Sequence, residues 1–312
     1  MTPKGNLWGD TMRRKPKSAG LYLAIIVPLV LIIGALAVVF FTGKTGPSGE
    51  NEWITYVKAR TGDATAQYYA GVAYDKRRGG VDDEARAIEW YAKAATGGHT
   101  EAQLALGDLY NTRKGEADRD KALKLYEQAS AKSPEAQRKA ALFYLTGRGS
   151  TEPDLDKARE GLLKAAERGD TAAEKQIGIM YFTGFEPALA VHWLEKAAAK
   201  GDGEALYYLG ELHYLFSEQY RDLSKARDYY TRSAETGNSQ GQARLSFLYF
   251  AGRGVEKDPA EAYKWASLAA KDKGGLGQRD GQDAVFYLER QLTPDQIAEG
   301  KKRADAFKPV KS

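Results

Sequence analysis

The chain has 312 residues, of which 43% are hydrophobic and 28% are charged, so it is long enough to combine a membrane segment with a folded domain. It contains no cysteine, which excludes disulfide bonds and thiolate chemistry. Residues 1–20 alone contribute the net charge of +4, and the balanced remainder argues against a nucleic-acid-binding domain, which normally carries a basic excess.

Residues 21–41 form an uncharged run, LYLAIIVPLVLIIGALAVVFF, which predicts a transmembrane helix. At about 1.5 Å per residue the run reaches roughly 30 Å, the thickness of the hydrocarbon layer of a bilayer. The basic cluster RRKPK lies within segment 1–20, on the N-terminal side of the run. By the positive-inside rule, segment 1–20 is predicted to be cytoplasmic, and the chain beyond residue 41 is predicted to lie outside the cytoplasm.

A cleaved signal peptide is the competing interpretation, because Ala35-Leu36-Ala37 has the small-x-small form of a cleavage site. The apolar run is longer than the usual apolar region of about 7–15 residues, which favours a retained anchor in contact with the lipid bilayer. Residues 42–51, TGKTGPSGEN, are rich in Gly, Ser and Thr and predict a flexible linker.

Residues 52–312 repeat at intervals close to 36 residues. A pair of small residues marks the end of each predicted second helix, and successive pairs are separated by 35, 36, 32, 36 and 36 residues. An alanine precedes each pair by seven residues, and a bulky apolar residue follows that alanine by three in five of six copies. Spacings of three, four and seven place these residues on one face of a helix. The pairs are Ala94-Ala95, Ala129-Ser130, Ala165-Ala166, Ala197-Ala198, Ser233-Ala234 and Ala269-Ala270.

The first helix of each unit also recurs. Ala66-x3-Ala70-Gly71-x2-Tyr74 in the first unit corresponds to Ala102-x3-Leu106-Gly107-x2-Tyr110 in the second. Small residues at these positions predict a close approach of two helices, with the motif tyrosine filling the space beside them. In the fourth unit the connecting loop shortens to GFEP at 184–187, which accounts for the interval of 32 residues.

The combined pattern, A-x3-L-G-x2-Y followed by G-x-G-V and A-x2-W-x3-A-A, resembles the Sel-one-like repeat family, which is related to the tetratricopeptide repeats. The resemblance covers about residues 60–270. It implies an all-α fold: an α-solenoid of about six helix–turn–helix repeats with capping helices, preceded here by the predicted transmembrane helix. Residues 52–60 are predicted to cap the first unit, and helices at 280–291 and 294–307 to cap the last.

No catalytic, cofactor-binding or metal-binding site is predicted. The three histidines, His99, His192 and His213, are too far apart in sequence for a two-ligand helical metal motif, and no serine elbow or dinucleotide-type glycine fingerprint is present. The carboxylates cluster at the starts of second helices, where they stabilise the helix dipole. We therefore expect a protein that is not an enzyme and needs no cofactor.

The resemblance to tetratricopeptide units implies a concave surface lined by first-helix residues three before, one after and four after the motif glycine. This surface becomes more aromatic toward the C-terminal end, with Arg and Lys interleaved, and these residue types are enriched at binding hot spots. Packing of the same rings between adjacent units is the alternative interpretation. The predicted partner-binding residues are Tyr68, Arg138, Lys175, Phe182, Tyr207, Tyr214, Arg244, Phe247 and Phe250.

These features together predict a single-pass scaffold in a bacterial inner membrane, with its N-terminus in the cytoplasm and its C-terminal domain, residues 52–312, in the periplasm. The expected partner is another envelope protein or complex, such as secretion, pilus, motility, respiratory or transport machinery. A periplasmic sensor that binds a small ligand or glycan is the alternative, and it requires a closed pocket with convergent polar groups.

Overall fold

The computed structural model describes residues 52–77, 81–113, 115–216, 219–272 and 275–310. The predicted cytoplasmic segment, the transmembrane helix at 21–41 and the linker at 42–51 lie outside these residues. None of the helices in the described ranges is both long enough and apolar enough to cross a bilayer.

The described residues form fifteen α-helices and no β-strand, in agreement with the predicted all-α solenoid. The helices are α1 Glu52–Arg60, α2 Ala64–Arg77, α3 Val81–Thr96, α4 Thr100–Thr112, α5 Glu116–Ser130, α6 Pro134–Thr146, α7 Leu155–Glu167, α8 Thr171–Thr183, α9 Pro187–Ala199, α10 Gly203–Leu215, α11 Leu223–Glu235, α12 Ser239–Ala251, α13 Pro259–Ala270, α14 Leu276–Gln291 and α15 Pro294–Ala306.

The chain divides into two compact units, of which the first extends to Leu106. Its α2 and α3 pack as a hairpin, and Gly71 lies so close to Tyr91 that a Cβ atom on the glycine would meet the ring at 2.5 Å. The short helix α1 packs on α2, and the Gln67 Nε2 donates a hydrogen bond of 3.1 Å to the carbonyl of Ala59. Residues 52–60 therefore cap the first repeat, as predicted.

The second unit begins at Gly107, within α4, and contains α5 to α15. Each first helix (α6, α8, α10, α12) packs against the second helix that follows it, and that second helix packs against the next first helix. Successive first helices also contact one another directly, from α6 through α8 and α10 to α12. We call the surface formed by these four helices the first-helix face.

Side chains of Asp, Asn, Ser and Thr begin most of these helices by accepting a hydrogen bond from a free backbone N–H of the first turn. Asp170 begins α8 and Asp202 begins α10 in this way, so the carboxylates at helix starts are caps, at first helices as well as second helices. Asp258 caps α13 by accepting a hydrogen bond of 2.9 Å from the backbone N–H of Glu261. The Glu261 carboxylate pairs with Lys264 at 2.6 Å.

The small motif residues allow the two helices of a repeat to approach closely, as predicted. The side chain that fills the space between them, however, is not the predicted tyrosine. The sequence pattern assigned this role to the first-helix tyrosines. In the structure the second helix supplies the packing side chain, four residues after its motif alanine: Tyr126 lies against Gly107, Leu194 against Gly178 and Tyr230 against Gly210. Tyr126 and Tyr230 are fully buried, so these contacts form the centre of the hairpin core.

The C-terminal helices close the stack. Helix α15 packs on α13, and the Arg303 Nη1 lies 2.7 Å from the Asp258 Oδ2. The Phe307 ring meets Trp265 edge-on at 5.2 Å between centroids. Helix α14 begins at Leu276, four residues before the predicted start at Asp280, and its buried Gly277 packs directly on the backbone of α12.

Candidate protein-binding face

The three predicted cations of the first-helix face join consecutive repeats. The Arg138 Nε lies 2.9 Å from the Asp170 Oδ1. Likewise, the Lys175 Nζ lies 3.3 Å from the Asp202 Oδ2. In both cases the partner is the carboxylate that caps the next first helix. Burial acts to lower the pKa of Lys175, but Glu204 and Asp202 outweigh it, and the pKa is raised. These cations therefore stabilise the stack, and any contribution to partner binding stays a prediction.

The third cation, Arg244, belongs to a buried node around Glu211, whose side chain is 5% exposed. The Arg244 Nε and Nη2 donate to the two Glu211 carboxylate oxygens at 2.6 and 3.1 Å. The Tyr230 hydroxyl donates to the same carboxylate at 2.7 Å. Burial, followed by the charge of Glu211, raises the pKa of Tyr230. One carboxylate thus links a first helix, its own second helix and the next first helix.

The same arrangement occurs earlier in the second unit. Asp108, one residue after the motif glycine, accepts a hydrogen bond of 2.7 Å from the Tyr126 hydroxyl. The Lys139 ammonium on the next first helix lies 2.7 Å from both Asp108 oxygens. An acidic residue directly after the motif glycine therefore stabilises the packing of one repeat on the next. The sequence pattern alone had assigned this position to the partner-binding surface.

Two of the predicted partner-binding tyrosines also make contacts with other side chains of the chain itself. Tyr207 is buried, with its ring centroid 5.2 Å from that of Tyr208, and burial raises its pKa to about 12. Tyr214 is half-buried, and its hydroxyl accepts a hydrogen bond of 2.6 Å from the Arg253 Nη1. Tyr207 therefore fits the alternative interpretation, in which these rings pack between adjacent repeats. Tyr214, in contrast, remains partly exposed.

Phenylalanine side chains provide the accessible part of the predicted surface. Phe247 is 43% exposed, with the Arg253 guanidinium 5.5 Å from its ring centroid. Phe250 is half-buried and meets Tyr287 of α14 edge-on at 5.5 Å. Phe182 is half-buried and meets Tyr208 at 5.3 Å. These rings lie on α8, α12 and the adjoining α14, so the apolar surface extends beyond the last repeat.

Two further aromatic residues beside Phe182 were missed by the sequence pattern. Phe216 lies 5.2 Å from Phe182, and Phe185 lies 6.0 Å from Phe216, measured between ring centroids. Phe185 is 81% exposed and has a φ of 58°, the left-handed region that non-glycine residues rarely adopt. The shortened loop of the fourth unit, GFEP at 184–187, was the available signal.

Tyr68, the remaining predicted residue, lies in the first compact unit. Its ring is stacked on that of His99 at 4.9 Å, with 19° between the ring planes. The His99 Nδ1 accepts a hydrogen bond of 3.3 Å from the backbone N–H of Ala102, so this histidine begins α4. Tyr68 therefore contacts the residue that begins the next first helix, as Arg138 does in the second unit.

The other histidines have structural partners or lie at the surface. The His213 Nδ1 is 2.7 Å from the Tyr220 carbonyl oxygen, and its ring is stacked on Tyr229 at 5.6 Å. His192 is exposed and meets Trp193 edge-on. Within the described ranges, no group of three or more histidine or carboxylate side chains is placed to hold a metal ion.

A groove of about 930 Å³ lies between α11 and the loop before α13. Three of its six charged lining residues take part in ion pairs: Arg227 binds Asp228 at 2.7 Å, and Asp258 binds Arg303 at 2.7 Å. Lys257 and Glu256 also line it. The groove is open to solvent, whereas the alternative ligand-sensor hypothesis requires a closed pocket.

Known proteins with related sequences and structures support the repeat assignment. The ERAD-associated E3 ubiquitin-protein ligase component HRD3B of Arabidopsis thaliana is 28% identical over 230 residues, 65% of this chain and 35% of that protein. This chain therefore spans about a third of the length of that relative.

Two solved structures share the fold. The crystal structure of c5321, a protective antigen of uropathogenic Escherichia coli displaying an SLR fold, has a TM-score of 0.72 and 26% identity, covering 82% of this chain and 55% of that one. A Sel1 repeat protein from Oxalobacter formigenes has a TM-score of 0.60 and 28% identity, covering 72% and 98% of the two chains.

The family model described as Sel1 repeat matches six consecutive segments, residues 64–99, 100–133, 134–170, 171–202, 203–238 and 239–274. Each segment begins with a first helix and ends in the loop after the paired second helix, so the six predicted units are confirmed. Proteins of this kind act as scaffolds or adaptors for other proteins. With most of its length matched, this chain belongs to the Sel1 repeat family.

Proposed function

We propose that this chain is a single-pass adaptor of a bacterial inner membrane, whose Sel1 repeats lie in the periplasm and hold another envelope protein close to the bilayer. One observation carries the proposal: a single chain combines an uncharged run at 21–41, preceded by a basic segment, with six protein-interaction repeats. The positive-inside rule supports the orientation.

The exposed rings of the first-helix face support a protein as the partner. Phe247 on α12 and Phe185 in the loop after α8 are large apolar side chains that remain accessible. Aromatic residues of this kind dominate the free energy of protein–protein binding when a partner buries them. Ion pairs between consecutive repeats, such as Arg138 with Asp170 and Arg244 with Glu211, hold the helices in place, so the surface is formed before the partner arrives.

Tethering explains why such a surface is useful near a membrane. Residues 42–51 separate the uncharged run from the first described helix by only a short, Gly- and Ser-containing segment. A binding domain held by a short linker meets membrane-bound partners at a raised effective concentration without any additional contact. We therefore propose that the chain acts by localisation, and that the chemistry of the complex belongs to its partners.

Labelling of introduced cysteines tests the anchor and its orientation, because the natural chain contains no thiol. Ser18→Cys lies before the uncharged run and Ser48→Cys lies after it. In intact spheroplasts, a membrane-impermeant maleimide is expected to label the Ser48→Cys variant and to label Ser18→Cys only after lysis. Labelling in the reverse pattern, or release of the chain from carbonate-washed membranes, would contradict the proposal.

A further inference from the structure

Helix α1 exposes apolar side chains on the side that faces away from α2. Thr55 and Ala59 are buried, and Ala59 packs in the small core that α1 forms with α2. Ile54 and Val57, in contrast, are 42% and 39% exposed. Residues three apart share one side of a helix, so Ile54, Val57 and the exposed Arg60 lie together, opposite the buried pair. We call these three residues the outward face of α1.

An apolar outward face is unusual for a helix that ends a repeat stack. Such a helix has no further repeat to cover it, so its outer side is normally polar. The last helix, α15, follows this rule, since none of its large apolar side chains is exposed. The preceding helix α14 does expose Leu276, Phe286 and Tyr287, but Tyr287 adjoins Phe250 of the first-helix face and so extends that surface. The outward face of α1 therefore needs a different occupant.

The position of α1 in the chain points to a bilayer as that occupant. Ten residues, 42–51, separate α1 from the uncharged run at 21–41, and three of them are glycine. For a Gly-rich segment of this length the expected end-to-end distance is about 18 Å, and the fully extended limit is roughly 35 Å. The headgroup layer on one side of a bilayer is about 5–7 Å thick. A chain anchored through 21–41 therefore keeps α1 within reach of the lipid surface.

The residue types of α1 match the boundary between lipid headgroups and acyl chains. A helix that lies in this layer places apolar side chains toward the acyl chains and basic side chains among the headgroups. Ile54 and Val57 supply the apolar part, and Lys58 and Arg60 in the last turn supply positive charge, which anionic headgroups attract. The Arg60 Nη1 also donates a hydrogen bond of 2.9 Å to the Tyr56 hydroxyl. Tyrosine is itself enriched at this depth of a membrane.

We propose that the outward face of α1 rests on the bilayer, with Ile54 and Val57 against the first acyl carbons and Arg60 among the headgroups. The proposal rests on the proposed function, because it requires the anchor at 21–41. It adds an orientation for the first compact unit: α1 lies along the membrane surface, with α2 on the side away from the lipid. The first repeat is then held in one orientation and does not rotate freely on its linker.

The test uses the full chain in lipid nanodiscs, one chain per disc, with a fluorophore on a single introduced cysteine. Since the natural chain has no cysteine, Val57→Cys places the only label on the outward face. Lys302→Cys on α15 is the matched control, because Lys302 is also a helical residue, with its side chain 81% exposed. Phospholipids with a nitroxide near the top of the acyl chain serve as quenchers. The label at 57 is expected to be quenched several-fold more strongly than the label at 302, since an interfacial helix buries its apolar face by about 5–10 Å.

A second variant, Ile54→Glu, is made in the Val57→Cys chain. Ile54 is exposed on the outward face, so the substitution is expected to leave the fold intact, which circular dichroism checks. A carboxylate is unfavourable beside acyl chains and is repelled by anionic headgroups. Quenching at 57 is therefore expected to fall to the level measured at 302.

Equal quenching at 57 and 302, with the chain still bound to the disc, would overturn the inference and leave the proposed anchor intact. A chain that does not stay with the disc would overturn both proposals. Protection of the label at 57 only in discs that hold two chains would assign the outward face to a second copy of the chain, and the lipid-contact inference would again be wrong.

Discussion

Replacing Glu211 with alanine is expected to lower the free energy of unfolding of the chain by about 3 kcal/mol. The Glu211 side chain is 5% exposed and accepts hydrogen bonds from both Arg244 and Tyr230. Removing it leaves the buried Tyr230 hydroxyl without its acceptor, which alone is unfavourable by about 1–3 kcal/mol. The Arg244 side chain is 43% exposed and can regain water, so the loss lies at the lower end of the range for buried charge pairs.

Urea unfolding followed by circular dichroism measures this effect, and Glu160→Ala is the matched control. Glu160 also pairs with a basic residue, Lys164, but both side chains are more than half exposed. An exposed pair four residues apart on a helix contributes about 0.3–0.5 kcal/mol. If Glu211→Ala and Glu160→Ala changed the unfolding midpoint equally, the buried node would not have the role assigned to it.

Gly210→Ala is expected to destabilise the chain by about 1–3 kcal/mol, although alanine is the better helix former. Helix propensity alone predicts stabilisation by about 1 kcal/mol. The new Cβ atom, however, would lie 2.5 Å from two carbon atoms of the Tyr230 ring. That ring is fully buried and its hydroxyl is held by Glu211, so it cannot move aside, and the two helices must separate.

Helix propensity and steric overlap change the free energy of unfolding in opposite directions, so the sign of the measured change shows which effect is larger. Gly115→Ala is the control, since Gly115 has a φ of −76° and a Cβ atom there would meet nothing closer than 4.0 Å. Because Gly115 is the N-cap residue of α5, where glycine ranks above alanine, that change is expected to cost up to about 1 kcal/mol without any steric overlap. A stabilised Gly210→Ala variant would show that α10 and α11 are less closely packed than the structure indicates.

The repeat architecture could be predicted because its determinants are local and periodic. Alanines seven residues apart and small pairs at helix ends identify one face of each second helix without knowledge of the tertiary structure. Helix caps could also be predicted from the sequence. Thr293, for example, begins α15 with a capping box in which the Gln296 side chain accepts a hydrogen bond from the Thr293 N–H. These features depend on neighbours within one helical turn.

The contacts between repeats could not be predicted in the same way. Arg138 reaches Asp170 across an interval of 32 residues, and Arg244 reaches Glu211 across 33. Such pairs depend on the rotation between successive hairpins, which the spacing of apolar residues does not determine. The positive φ of Phe185 has a similar origin, since it follows from closing a three-residue connection between α8 and α9. Sequence reasoning therefore located the face but not which of its residues are accessible.

Site-specific photo-crosslinking in living cells tests the adaptor proposal most directly. A photoreactive amino acid is placed at position 247 on the first-helix face or at position 185 in the loop after α8, and at exposed position 160 on α7 as the control. The account predicts that one envelope protein is trapped from both 247 and 185, and is absent from the adducts at 160. No protein adduct at 247 and 185, or the same adducts at all three positions, would contradict it.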